Sequence, residues 1–97
     1  MTTFEKRLHD GSRATEILEN EQFTASFDAI EQEIVQKWMN SSEGDRDGRE
    51  RCWQYLTQLR KVRDHLTSTM ATGKLAQLEL RHQRTTAEKL RAMLSPS

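Results

Sequence analysis

Two stretches of this chain place apolar residues at helical spacing on either side of a short polar break. In the first, Phe23, Phe27, Ile30, Ile34 and Trp38 follow one another at intervals of 4, 3, 4 and 4, which is one stripe of an α-helix. Ala29, Val35 and Met39 widen it. In the second, Cys52, Leu56, Leu59, Val62 or Arg63, Leu66 and Met70 recur at the same spacing, flanked by Trp53 and Tyr55. Between them lies Ser41-Ser42-Glu43-Gly44-Asp45-Arg46, a run of turn-forming and polar residues. The pattern predicts an antiparallel helical hairpin, with helices over about residues 20–40 and 47–70.

Local signals sharpen the boundaries. Asn20 is placed to cap the first long helix, and Glu21 follows where the helix dipole favours a carboxylate. Glu33 and Lys37 form an i,i+4 pair in the favourable order. Asp47 with Glu50 has the form of a capping box for the second helix. The Thr67-Ser68-Thr69 cluster weakens helix propensity, and Gly73 then reads as a stop. Upstream, Phe4 and Leu8 could share one turn, interrupted at Asp10-Gly11-Ser12; Ser12 then caps a short helix through Glu19. Downstream, Leu75, Leu78, His82, Thr85 or Thr86, Leu90 and Met93 or Leu94 mark a third helical segment with a thinner apolar face, either a separate helix or a continuation of the second. The expected organisation is a weakly ordered start over 1–12, a hairpin domain over 13–72, a basic C-terminal helix over 73–94 and a tail over 95–97. The expected fold class is all-α: the hairpin, a short N-terminal helix and a C-terminal third helix, forming an oligomer.

Oligomerisation enters because the core is too thin. The chain has 97 residues, 34% hydrophobic and 31% charged, and a chain this short buries only a modest part of its surface. Phe23, Phe27, Ile34, Trp38, Trp53, Leu56 and Leu59 are the candidate interface residues, some building the hairpin and others meeting a partner. A homo-oligomer, a protein partner or both would supply the missing burial.

Net charge is zero but unevenly placed. Residues 1–47 carry 5 Lys/Arg and 11 Asp/Glu, and residues 48–97 carry 10 and 4, giving −6 and +6. Antiparallel pairing of the halves would satisfy much of this internally, each exposed pair adding about 0–1 kcal/mol. The alternative is a nucleic-acid surface built from Arg49, Arg51, Arg60, Lys61, Arg63, Lys74, Arg81, Arg84, Lys89 and Arg91, with Trp53 and Tyr55 available to stack. The sequence pI of about 6.8 weighs against a dedicated binder, whose pI is expected above about 9.

Catalytic chemistry finds little footing. His9, His65 and His82 are far apart and lack the spacing of a zinc ligand set. Cys52 has arginines nearby but falls on the apolar stripe, where a free cysteine packs as a small hydrophobe. The carboxylates lie at solvated helical spacings, and Gly44 and Gly48 lack the context of a phosphate loop. No catalytic residue, metal ligand, cofactor or small-molecule substrate is expected. A single cysteine, a polar start and no long apolar run suggest an intracellular setting without a membrane span.

The anchors Asn20-x-x-Phe23-x-x-x-Phe27, Glu31-x-Glu33-Ile34, Trp38, Arg49-Glu50-Arg51-x-Trp53, Val62-Arg63-x-His65-Leu66 and Thr72-Gly73-Lys74-Leu75-Ala76 resemble small helical proteins of tailed bacteriophages and prophages. The resemblance covers about residues 17–78. It implies a place among particle-assembly and DNA-packaging proteins, and similarity to the helical oligomerisation core of small terminase subunits. The chain departs from the fuller terminase pattern in having no helix-turn-helix ahead of the hairpin, and no functional residue carries over. The resulting expectation is a non-enzymatic interaction and oligomerisation protein in the host cytoplasm or on the virion. Nucleic-acid binding through the basic half and inhibition of a host enzyme are the alternatives.

Overall fold

The computed structural model describes residues 2–95. Its elements are α1 (Thr3–Glu19), α2 (Glu21–Met39) and α3 (Arg46–Leu94), with no strand among the described residues. The protein is all-α. Residues 96–97 of the expected tail lie outside the described residues.

Each helix starts on a side-chain cap. Thr2 accepts from the Glu5 amide at 3.1 Å while the Glu5 carboxylate accepts from the Thr2 amide at 3.2 Å, a complete capping box. Asn20 sits between α1 and α2 with φ −72° and ψ 118°. Its amide donates to the Ile17 carbonyl and its side chain accepts from the Phe23 amide at 2.9 Å. One residue thus closes one helix and opens the next. Asp45 caps α3, accepting from the Gly48 amide at 3.0 Å, so the cap falls two residues before the expected Asp47.

The first 12 residues do not form a weak start, and Ser12 caps nothing: α1 runs unbroken through Asp10-Gly11-Ser12. Gly73 does not stop a helix either, and there is no separate third helix over 73–94; α3 is continuous for 49 residues. Both departures have one cause. Gly11 and Gly73 face each other, and a Cβ built on Gly11 would lie 2.5 Å from the Gly73 Cα. These glycines are where two helix backbones touch. Ala14 and Ala76, one turn on, are 2% and 0% exposed. The hydroxyl cluster is also absorbed: Thr69 donates its side-chain proton to the His65 carbonyl at 2.9 Å, as Thr57 does to Trp53 at 2.8 Å.

α1 and α2 follow one another along α3, both running opposite to it. Arg7 pairs with Glu79 and Gly11 touches Gly73; further along, Asp28 meets Arg63 and Glu31 meets Arg60. The result is a rod of 81 × 23 × 21 Å. Its radius of gyration is 22.0 Å, against about 12.5 Å for a compact chain of this length. Among hydrophobic side chains, Ala14, Phe27 and Ala76 are buried. The accessible surface is 7979 Å², where a compact 11.3 kDa protein would show roughly 5,700 Å².

Candidate interaction surface

Phe27 anchors α2 on α3. It is 5% exposed, its ring lies 5.8 Å from that of Phe23, and the Arg63 guanidinium sits 4.4 Å above it. That placement is favourable for a cation over an aromatic face. Phe27 is the core member of the seven expected interface residues. Phe23, Ile34, Leu56 and Leu59 are half-buried along the same seam. Trp38 and Trp53 are 46% and 61% exposed.

The two tryptophans belong to an open apolar groove of about 280 Å³ lined by Ile34, Val35, Trp38, Cys52, Trp53 and Leu56. Arg49 rims it, its guanidinium 5.2 Å from the Trp38 ring. Cys52 is half-buried in the groove wall. A second hollow on the opposite flank shares Ile34 and Cys52 but adds Lys37, Ser41, Asp45, Gly48, Arg51 and Tyr55. The α2/α3 layer is therefore hollow on both flanks, and its apolar side chains span the layer without closing over either.

The first flank has a regular build. On α2, Asp28, Glu31, Val35 and Trp38 are spaced 3, 4 and 3; on α3, Trp53, Leu56, Arg60 and Arg63 are spaced 3, 4 and 3. That spacing puts each set on one helix stripe. Because the helices run in opposite directions, the sets meet as a four-rung ladder. Two rungs are ionic, Asp28 to Arg63 at 3.1 Å and Glu31 to Arg60 at 3.3 Å. Two are apolar, Val35 beside Leu56 and Trp38 beside Trp53, all four lining the groove. The charges read in sequence as a contrast between halves are thus placed, at these positions, in register across the seam.

The ten candidate phosphate-binding cations are dispersed by the fold. Arg60 and Arg63 are ion-paired, Arg49 covers Trp38, and Arg51 Nε donates to the Asp47 carbonyl at 3.4 Å. Lys61 and Lys74 are exposed on α3. Arg81, Arg84, Lys89 and Arg91 gather on the last turns of α3, exposed throughout. These four follow one another along one exposed helix end.

Among the described residues no group of three metal-capable side chains assembles, and no helix is long and apolar enough to cross a membrane. No protein-family model, curated protein sequence or solved structure matches the chain.

Proposed function

We propose that this chain is a helical hairpin module whose work is association: it self-assembles, and through the resulting particle docks onto other components. The observation that carries this reading is the unburied surface. About 2,200 Å² more is exposed than a compact protein of this mass would show, and a stable interface needs only about 800 Å² from each partner. The exposed apolar side chains include Trp38, Trp53, Tyr55, Val62, Leu75 and Leu78 along the rod. Trp and Tyr are the residue types that carry binding energy at interfaces. The resemblance to phage assembly and packaging proteins would set such a module within a particle or its packaging machinery.

Light scattering across micromolar to millimolar concentration tests the proposal. The expected result is a mass at least twice 11.3 kDa. A helical monomer throughout that range removes it.

A second reading draws on the end of α3. Arg81, Arg84, Lys89 and Arg91 are all exposed, with Glu88 the one acid between them. Such an end would hold nucleic acid through phosphate contacts alone, with affinity falling steeply as salt rises. A mobility-shift titration at two salt concentrations decides it, since absence of binding at low salt excludes it.

A further inference from the structure

We infer that the Trp38/Trp53 flank is filled by the same flank of a second copy, the two rods lying side by side about a two-fold axis parallel to their length. The inference rests on the self-association reading and names its surface and symmetry. The ladder's order carries it.

A two-fold axis along the rods keeps every rung at its own height and exchanges left for right. α2 of one copy then faces α3 of the other. At the ionic rungs, Asp28 meets Arg63 of the second copy and Glu31 meets Arg60 of the second copy, so each pair becomes part of a four-charge cluster. At the apolar rungs the four tryptophans converge and close both grooves. The helices match in overall charge as well: α2 carries a net −3, and residues 46–65 of α3 a net +3. Self-complementarity of this kind is what a two-fold interface demands.

An axis across the rods does the opposite. It lays α2 on α2 and, centred on the ladder, brings each charged rung onto an apolar one. Each ion pair would then lose water to apolar side chains without gaining a charged neighbour from the second copy, a desolvation cost with nothing new to offset it.

Small-angle scattering and mass measurement on the full chain, alone and as Trp53→Glu, test the arrangement. Trp53 is 61% exposed, so the single rod does not need it to fold, and circular dichroism checks that helicity is kept. The expected wild-type particle is a dimer whose long dimension stays near that of one rod, 81 Å. Trp53→Glu is expected to weaken it at least about tenfold, as loss of a central interface tryptophan does. A dimer near 110 Å, the length that a crosswise axis centred on the ladder gives at about 1.5 Å per residue, overturns the inference and leaves self-association standing. So does a Trp53→Glu chain that dimerises as the wild type does, or a particle of three or more chains. A monomer at every concentration overturns both this inference and the function on which it rests.

Discussion

The two halves of the rod pack by opposite means. Where α1 lies on α3, glycine meets glycine and alanine fills the adjoining turns, so the backbones touch. Where α2 lies on the other half of α3, Phe27, Ile34 and Leu56 hold the helices apart, and grooves remain on both flanks. Small side chains seal a helix pair but offer a partner little apolar area. Large ones bury more surface yet exceed what two helices can enclose. The α1 half is closed, and the α2 half is left with exposed apolar surface.

That contrast can be broken most forcefully at Phe27. Phe27→Ala removes the one large buried anchor of the α2 half and is expected to destabilise the chain by about 3 kcal/mol. The loss would appear in thermal melts followed by tryptophan fluorescence, since Trp38 and Trp53 both report on this half.

Gly73→Ala probes the other half. On an exposed helix the change would stabilise by up to about 1 kcal/mol. Here the new Cβ would lie 2.6 Å from the Gly11 Cα and 3.1 Å from the Arg7 carbonyl oxygen, so the sign reverses to a loss of about 2 kcal/mol. Amide exchange should speed up in α1 while tryptophan emission stays unchanged. Equal disturbance of both halves would show that they are not separable.

Asn20 joins the two regimes, and Asn20→Ala deletes the acceptor for the Phe23 amide at a cost of about 1 kcal/mol. Fraying at the α1–α2 junction, seen by exchange of the Phe23 and Thr24 amides, is the expected signature. The smallest effect belongs to Asp28→Asn. Its side chain is 57% exposed, so within one rod the pair with Arg63 is worth no more than about 1 kcal/mol, screened further by salt. The variant should leave the melting temperature of dilute protein nearly unmoved. A large drop would place Asp28 in a desolvated setting even in the single rod.

The legible part of the fold was what repeats locally. The 4-3-4-4 spacing of Phe23 to Trp38 located α2, and the asparagine before it located the cap, because both depend on residues within a few turns of each other. Gly11 and Gly73 mislead for the complementary reason. A glycine in a helical pattern looks like a stop until another helix lies against it, and the partner glycine is 62 positions away. The candidate surface divided along the same line. The stripe containing Phe27 and Trp38 was visible, but which of the two would be covered was not, because both occupy the same periodic face. The nearness of Asp28 to Arg63 followed from laying the acidic helix antiparallel to the basic one; which acid meets which arginine did not.

The amino-acid sequence by itself determined that this protein is helical, where α2 begins, and that its apolar residues are large and few. Helical period and capping are properties of neighbouring residues and need no fold to express them. Only the tertiary structure decided that α3 runs through Gly73 unbroken, that Phe27 is enclosed while Trp53 faces solvent, and that acids and arginines align rung by rung. These depend on how far apart two helices lie and how they are offset, and both distances are fixed by the side chains wedged between them.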